Sequence, residues 1–272
     1  MKTPVRRQQA GFSLLELMIA STIGLFVVGG ILTLLLSVYQ ANQAQGKLAQ
    51  INDNASMAMQ ILTNVLQSAG YIPDPSTGGL ASNEMPATTT YLSAGQSLFG
   101  TYGGGVTASD TLSVRYVTGL VPQVIGLPIQ DTQLNCIGRG IPILATNPSN
   151  YYIFDQTLSL DTSQRLSCSY TGISYTPSSG TPLIQEPTTA FPLIGDASTV
   201  SLSQITFLYG VDTNGDGSVD GYYNAAQVDA AGNWGNVLSV QATLIFKNPL
   251  ANQAGQPATL SFSKTIALMS RS

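Results

Sequence analysis

The chain opens with a short basic segment and continues with a long apolar run. Residues 12–38 carry one charged side chain, that of Glu16. Because about 20 apolar residues cross the hydrocarbon core of a bilayer, this run is long enough to span a membrane. Basic side chains precede it and none follows it closely, which predicts a cytoplasmic N-terminus and an external location for everything after Val38. The preceding basic residues are Lys2, Arg6 and Arg7.

Helical periodicity continues beyond the apolar run. Apolar residues recur at spacings of three and four, which places them in one stripe on a helix. No proline interrupts the pattern before Pro73, and Gly70 just ahead of it is a typical end of a helix. We predict one helix over residues 12–70, apolar on all sides in its first half and amphipathic over 39–70, where the stripe packs against the chain's own globular domain. The stripe consists of Ala41, Ala44, Leu48, Ile51, Ala55, Ala58, Leu62, Val65 and Ala69.

The character of the sequence changes after the helix. Residues 71–109 are rich in Gly, Ser, Thr and Pro and predict a long loop region, whereas residues 110–272 predict a β-rich globular domain. An antiparallel sheet packed on the second half of the helix would cover both apolar faces, so the expected fold class is α+β with a long N-terminal helix. The alternating segments are 110–117, 204–209, 237–246 and 259–265, with weaker candidates at 151–154 and 158–166.

The composition excludes several classes of enzyme. The 272 residues include 10 Lys and Arg and 14 Asp and Glu, so the formal net charge is −4, and only 9% of residues are charged. A charged fraction so far below the roughly 25% of ordinary soluble proteins favours an exported, loop-rich β protein. No histidine is present, which excludes Ser/His/Asp and Cys/His nucleophilic sites, and two cysteines are too few for a four-ligand zinc site. A basic surface for nucleic acid is missing too, so a binding, structural or assembly protein or a carboxylate-based enzyme remains.

The acidic residue in the apolar run is the first candidate for function. A carboxylate in a membrane helix costs a few kcal/mol, so it is expected to have a specific partner. After the basic leader, the stretch GFSLLE contains Gly11, Phe12 and Glu16 and resembles the class III signal of type IV prepilins and type II secretion pseudopilins. A secretory signal peptide cleaved near the small residues at 44–46 is one alternative, but its apolar core would be too long. A simple uncleaved anchor is another, and it explains neither Gly11 nor Glu16.

The resemblance implies a processing site and an assembly site. In that family a prepilin peptidase cuts after the glycine, which is Gly11 here, and methylates the new N-terminal residue, Phe12. Residues 1–11 would then be a cleaved leader and residues 12–38 the transmembrane and filament-core helix. Cleavage creates an α-amino cation on Phe12, and Glu16 of an adjacent subunit would neutralise it in the apolar filament core, where an unpaired charge is costly. This pairing would set the axial register of one helix against the next.

A wider resemblance rests on four features, the helix, the loop region, the 110–117 strand and the two cysteines. Together they resemble a minor pilin of the PilW family. This resemblance implies a scarce subunit at or near the pilus tip that helps to start assembly through helix packing, with roles in adhesion or motility. The implied partners are prepilin peptidase, other minor pilins, the major pilin, the inner-membrane assembly platform and, before assembly, membrane lipid. The implied location is the bacterial inner membrane, with a periplasmic C-terminal domain, and later the pilus or cell surface. J-class pseudopilins of type II secretion share the head and much of the architecture, so they remain an alternative.

Cys136 and Cys168 are the only thiols of the chain. The predicted topology puts both in the oxidising periplasm, where disulfides persist. A disulfide between them would close a loop of about 33 residues and stabilise the fold by roughly 3–4 kcal/mol. Two unconnected buried thiols are the alternative.

The sharpest chemical motif lies in residues 212–220. Side-chain oxygens at loop positions 1, 3, 5 and 9, with glycine at position 6, match the first three-quarters of an EF-hand loop. Position 12 is Tyr223 rather than Glu, so we expect an EF-hand-like calcium site between β segments, completed by water, a backbone carbonyl or Asp229. The alternative is an empty polar hairpin turn, which favours the same residue types. The expected ligands are Asp212, Asn214, Asp216 and Asp220 through their side chains and Ser218 through its backbone carbonyl.

Two further functions fit parts of the sequence. An anchored surface-binding module would use tyrosines, Trp234 and the polar loops against a glycan or another surface, and this role is compatible with a subunit at a filament tip. A membrane-tethered hydrolase would need two carboxylates close together, and no spacing in the sequence brings two together. We therefore predict no enzymatic activity. The scattered acidic residues are Asp110, Asp131, Asp155, Asp161 and Asp196.

Overall fold

The structure is a computed structural model, and it describes eight segments of the chain. These are residues 13–72, 85–105, 108–118, 135–138, 151–175, 183–195, 200–253 and 255–269. The predicted leader with Gly11, and Phe12 after it, lie outside the described residues. By its internal contacts the chain divides into two compact units, Met1–Leu48 and Ala49–Ser272.

The predicted long helix is present. Helix α1 covers Leu14–Gln67 without interruption and ends in a turn at Gly70, which has a φ of +73°. Glycine adopts this left-handed conformation without strain, so it ends the helix at little cost. The Gly70 amide then donates to the carbonyl oxygen of Arg115 at 3.0 Å, which attaches the end of the helix to the β domain.

The predicted stripe is confirmed from Ile51 onward. Its members from that position to Ala69 are buried in the second unit. Earlier in the helix Ala41 is exposed, whereas Ala44 and Leu48 are partly exposed. The helix is therefore used in two ways, since one part supplies a core face and the other leaves its apolar side chains uncovered.

In the described segments the β domain contains two antiparallel sheets rather than the single sheet predicted. The first sheet has five strands in sequence order, and the second has four in the order β7-β6-β8-β9. The strands of the first sheet are β1 (Leu98–Thr101), β2 (Thr111–Thr118), β3 (Tyr151–Leu160), β4 (Leu166–Tyr175) and β5 (Leu183–Ile194). The second contains β6 (Leu202–Val211), β7 (Gly221–Tyr223), β8 (Val237–Lys247) and β9 (Thr259–Ala267). A short helix α2 (Ala225–Ala230) and a 3₁₀ turn (Asn233–Asn236) connect β7 to β8.

The four stronger strand predictions are confirmed, and one of the weaker ones is wrong. The segment 158–166 is not a strand because a turn at 161–165 separates β3 from β4. In that turn Asp161 accepts from the amide of Arg165 at 2.9 Å and pairs with its guanidinium at 2.8 Å, and Gln164 has a φ of +59°. The predicted loop region 71–109 also contains a strand, β1, and strands β4, β5 and β7 were not predicted from the sequence.

One apolar core unites the second half of α1 with both sheets. Leu62 and Leu66 of α1 are fully buried, as are Leu112 of β2 and Leu244 of β8. Burying such side chains contributes about 1.5–3 kcal/mol each. The predicted α+β fold class is confirmed.

Candidate functional sites

The first turn of α1 holds Glu16 in a hydrogen-bonded pair. The amide of Ser13 donates to Oε2 of Glu16 at 3.3 Å, and the amide of Glu16 donates to Oγ of Ser13 at 3.2 Å. This reciprocal arrangement is a capping box, which satisfies two backbone donors at the start of a helix. The Glu16 carboxylate is thus held at the helix N-terminus and is also exposed.

The surface that follows is apolar and uncovered. Large apolar side chains from Leu14 to Tyr39 are more than half exposed, and Phe26 reaches 83%. Between Arg7 and Lys47, Glu16 is the only charged residue of the sequence. Within the described ranges, α1 is the one helix whose length and composition are sufficient to cross a membrane. Patches of this size on a protein surface mark contact with lipid or with another protein.

The acidic loop between β6 and β7 folds around its own carboxylates. Asp212 accepts three backbone bonds, from the amides of Asn214 at 3.2 Å, Gly215 at 2.7 Å and Gly217 at 2.9 Å. Asp220 accepts from the amide of Thr213 at 2.8 Å and from its hydroxyl at 2.6 Å. Gly215 and Gly217 have φ values of +80° and +84°, so glycine permits both reversals of the chain. The loop is therefore held together by hydrogen bonds to its own carboxylates.

The remaining predicted ligands also lie in this loop. Asp216 accepts hydrogen bonds from the amide and the hydroxyl of Ser218. The Asn214 side-chain amide donates to Asp216 and to Asp220, at 3.2 Å in each case. Hydrogen bonds from the Ser218 side chain lower the pKa of Asp216, and those from the Thr213 side chain lower the pKa of Asp220. Both carboxylates are therefore ionised at neutral pH.

The fit of this loop to a cation is partial. The donors are carboxylate and amide oxygens, the type that calcium prefers. However, no group of three His, Cys, Asp or Glu side chains in the described segments is arranged to hold a metal ion. Asp229, the candidate for completing the shell, accepts from the indole nitrogen of Trp234 at 3.1 Å. The calcium site stays a prediction.

The two cysteines form the predicted disulfide. Cys136 and Cys168 are bonded, with their Cα atoms 6.4 Å apart. Cys168 lies in β4 and is fully buried, and the Cys136 amide donates to the side-chain oxygen of Gln156 in β3 at 2.7 Å. The disulfide and this hydrogen bond together attach the segment around Cys136 to the middle of the first sheet.

Comparison with known families matches both ends of this architecture. Residues 6–32 match the prokaryotic N-terminal methylation motif, and residues 150–268 match the PilW family, described as type IV pilus-assembly protein W. The C-terminal part of the chain is thus similar to the PilW family, and its start carries the N-terminal methylation motif of prepilins. The first match covers Glu16 and the start of α1, and the second covers β3 to β9.

Other comparisons add little to this result. A solved structure, the type IV-like pilin TTHA1219 from Thermus thermophilus, is similar with 10% identity over 80% of this chain and 95% of that chain, at a TM-score of 0.38. A search of curated proteins gives no significant match.

The two family matches together assign this chain a coarse role. It is a type IV pilin-like protein with a membrane-anchoring N-terminal helix, and its prepilin motif implies processing by prepilin peptidase and assembly with other pilins. Pilins are in general structural proteins rather than enzymes.

The predicted use of Trp234 at a binding surface is wrong, because this side chain is 4% exposed and packs edge-on against Tyr209, with ring centroids 4.9 Å apart.

A buried polar cluster of the β domain was not predicted from the sequence. The Tyr91 hydroxyl donates to Oδ1 of Asp155 at 2.8 Å, and the Arg115 guanidinium lies 4.2 Å from the centre of the Tyr91 ring. Arg115 is 1% exposed and donates to backbone carbonyls of the segment before β1, including that of Pro86 at 2.7 Å. Burial raises the pKa of Asp155, and the bond from Tyr91 and the charge of Arg115 oppose this shift.

The cluster holds the segment before β1 against the first sheet. Arg115 and Asp155 are directly paired on β2 and β3, so the sheet register brings the two charges together. The signal in the sequence was an arginine at the centre of an apolar strand, where a charged side chain is buried only when it has partners.

Proposed function

We propose that this chain is a minor type IV pilin, located at or near the pilus tip, that helps to start pilus assembly by packing its N-terminal helix against those of other pilins. The observation that carries the proposal is the exposed apolar surface of α1 from Leu14 to Tyr39, with Glu16 as its only charge. Such a surface is stable in lipid before assembly and among other apolar helices afterwards. The second half of the same helix is already occupied by the chain's own core.

The charge on Glu16 supports a defined register in this packing. An unpaired carboxylate among apolar helices costs several kcal/mol, whereas a carboxylate beside the amine of a neighbouring Phe12 is neutralised. In a subunit outside the filament, the capping box gives the Glu16 carboxylate one partner, the amide of Ser13. We infer that the carboxylate exchanges this local role for the pairing with the neighbour's amine when the subunit enters the filament.

The proposed partners and locations follow from this packing. The partners are the major pilin, other minor pilins and the inner-membrane assembly platform. The β domain would be periplasmic before assembly and exposed on the pilus afterwards, where it contributes to adhesion or motility. A low copy number separates this role from that of a major pilin, which forms the filament shaft.

Mass spectrometry and filament counts test the proposal. Protein extracted from membranes and from sheared filaments should begin with N-methylated Phe12, and its amount in the filaments should be far below that of the major pilin. Deleting the chain should reduce the number of filaments per cell. An intact Met1, a first residue near Gly46, or an unchanged number of filaments would contradict it.

We also propose that the loop of residues 212–220 binds calcium at the domain surface. Its support is the oxygen-rich ligand set at EF-hand spacing and the ionised state of Asp216 and Asp220 at neutral pH. The Asn214 side-chain nitrogen donates to both carboxylates. A bound cation would replace this nitrogen between the carboxylates, and the side-chain oxygen of Asn214 would coordinate the cation. An extracellular site of this kind is expected to bind at about 10⁻⁴–10⁻³ M.

Calorimetry on the full chain in detergent tests the calcium proposal. Calcium should produce a saturable heat and raise the melting temperature, and Asp216→Asn should weaken binding by about tenfold or more. Asp53→Asn, the same change on the exposed side of α1, is the matched control and should leave binding unchanged. Absence of heat at a calcium concentration several times the expected dissociation constant would contradict the proposal.

A further inference from the structure

Within the part of the chain that the structure describes, the two sheets have four edge strands, and these differ in how well they resist pairing with another chain. The edges are β1 and β5 in the first sheet and β7 and β9 in the second. An exposed edge strand presents unpaired backbone donors and acceptors, and soluble proteins protect such edges with short strands, prolines and bulges. Three of these edges have such protection. β1 has four residues, β7 has three, and β5 contains Pro187 and Pro192 and three register shifts against β4.

Strand β9 has none of these features. It contains nine residues without proline or glycine. Its pairing with β8 runs without a shift from Thr259 opposite Lys247 to Ala267 opposite Ser239. Its one charged side chain, Lys264, donates to the hydroxyl of Thr63 in α1 at 2.9 Å. The ammonium group therefore lies on the face of the sheet that meets α1, so it places one positive charge beside the edge without covering the outward backbone groups.

The register identifies the backbone groups that point away from the sheet. The amide of Leu268 donates to the carbonyl of Leu238, so positions 268, 266, 264, 262 and 260 form the hydrogen-bonded pairs with β8. The amides and carbonyls at the alternate positions point outward. Those positions are Thr259, Ser261, Ser263, Thr265 and Ala267, and the residues at all five are exposed. Among the described residues none accepts from or donates to these outward groups through a backbone hydrogen bond.

We propose that β9 is a docking strand to which an extended segment of a different pilin pairs, extending the second sheet across a subunit boundary. The inference rests on the proposed function, because pilin assembly is what brings a second β domain beside this one. A row of donors and acceptors at strand spacing is matched by one kind of surface, the backbone of an extended chain. Five outward-facing residues supply enough hydrogen bonds to fix the register of the two subunits.

The partner is a different chain rather than a second copy. If β9 paired antiparallel with the β9 strand of a copy at full overlap, the two Lys264 residues would lie at diagonal positions, about 7–8 Å apart. Like charges at this distance repel each other, because the distance does not exceed the screening length of about 8–10 Å. A strand with an acidic residue opposite or diagonal to Lys264 removes this repulsion and adds an ion pair, so we infer a partner strand of that composition.

Site-specific photo-crosslinking in the full chain, expressed in cells that make pili, tests this proposal. The crosslinker is placed at Ser261 or Thr265 on β9, at Tyr222 on the protected β7 edge as a control, and at Phe26 on the apolar surface of α1. We expect the β9 positions to form an adduct with a different pilin, mapped by mass spectrometry to an extended segment of that protein. Tyr222 is 44% exposed and should give at least about tenfold less pilin adduct, the difference expected for a site without strand pairing.

The positions separate failure of this proposal from failure of the proposed function. Pilin adducts from Phe26 without any from β9 would overturn the docking strand and leave the assembly role in place. An adduct between β9 and a second copy, or with a protein that is not a pilin, would also overturn it. No pilin adduct from any position would overturn both proposals.

A pair of substitutions at one position gives an independent test. The amide of Ser263 points away from β8, so Ser263→Pro removes an outward donor without removing a bond to β8, as edge strands tolerate. Ser263→Ala keeps the donor. We expect Ser263→Pro to reduce incorporation into filaments by about tenfold, while Ser263→Ala incorporates normally. Equal incorporation of the two variants, with Ser263→Pro shown to be folded by its melting temperature, would contradict the proposal.

Discussion

Ser13 and Glu16 hold each other at the start of α1, each donating its backbone amide to the side chain of the other, at 3.3 and 3.2 Å. The pair gives the Glu16 carboxylate two roles, because it caps its own helix and carries the single charge of the apolar surface. Substitution can separate the two roles. Glutamine at the third helical position preserves a capping box but carries no charge.

We predict that Glu16→Gln is cleaved and methylated normally but incorporates into filaments at least about tenfold less, because the neighbour's amine loses its counter-ion. Ser13→Ala should weaken the start of the helix by about 1 kcal/mol and preserve the charge, so most incorporation should remain. Processing is read by mass spectrometry and incorporation by quantifying sheared filaments. If the glutamine variant assembles as well as the natural chain, the charge is not what sets the packing.

The Cys136–Cys168 disulfide closes a loop with a sequence separation of 32 residues. In the loop-entropy account this constraint stabilises the fold by about 3–4 kcal/mol. We predict a loss of that size in the double variant Cys136→Ala/Cys168→Ala, measured by denaturant unfolding of the full chain in detergent with Trp234 fluorescence as the probe. Alkylation of the non-reduced natural protein should label no thiol. Two labelled thiols would show that the pair is not joined in the cell.

The sequence predicted those features of this fold that depend on local pattern. The stripe of α1 from Ile51, the end at Gly70 and the strands with clean alternation all follow from periodicity and glycine chemistry. Strand β5 was missed because Pro187 and Pro192 argue against a strand. They are tolerated there because β5 is an edge strand with register shifts. Strand β7 has three residues, too few to give an alternating pattern.

The features that depend on distant residues could not be predicted from pattern alone. In β2 the sequence alternates, which predicts one solvent face, yet Ser113 and Arg115 are buried together with Val114 and Tyr116. The segment before β1 covers that face, and its carbonyl groups satisfy the Arg115 guanidinium. The pairing of Asp155 with Tyr91 spans 64 positions, so only the sheet register reveals it. For the same reason the division into two sheets was not apparent from the sequence.

The Tyr91–Asp155 hydrogen bond predicts a pH-dependent effect on stability. Because burial raises the pKa of Asp155, its folded state holds the proton more tightly than the unfolded chain. The contribution of this group to stability is therefore greatest below the unfolded pKa and falls as the pH rises through the folded pKa. Tyr91→Phe removes the donor that lowers this pKa, so the folded pKa rises further and the carboxylate becomes more costly when ionised.

We predict that Tyr91→Phe destabilises the protein by about 1–3 kcal/mol at neutral pH and by clearly less at a pH below the ordinary aspartate range. Denaturant unfolding of both proteins at the two pH values measures the difference. Tyr39→Phe, the same change on the exposed part of α1, is the control and should have little effect at either pH. A cost that is equal at both pH values would contradict the role of the ionised carboxylate.

Gly100 and Tyr209 come from different sheets and meet in the core. A Cβ atom built on Gly100 would overlap the Tyr209 hydroxyl and lie 2.8 Å from its Cζ atom. The hydroxyl has no hydrogen-bond partner among the described residues, so its removal alone leaves no orphaned group. The close approach therefore requires glycine at position 100 and tolerates phenylalanine at position 209.

We predict that Gly100→Ala lowers the free energy of unfolding by about 1–3 kcal/mol through overpacking, whereas Tyr209→Phe costs about 1 kcal/mol or less. In the double variant the hydroxyl is gone but Cζ remains close, so the cost should be smaller than the sum of the two single costs by about 0.5 kcal/mol or more. Gly46→Ala, where the added Cβ meets nothing within 4 Å, is the matched control and should not destabilise. The measurement is denaturant unfolding followed by Trp234 fluorescence, a probe whose ring contacts Tyr209 directly. Additive costs in the double variant would show that the two residues do not compete for the same space.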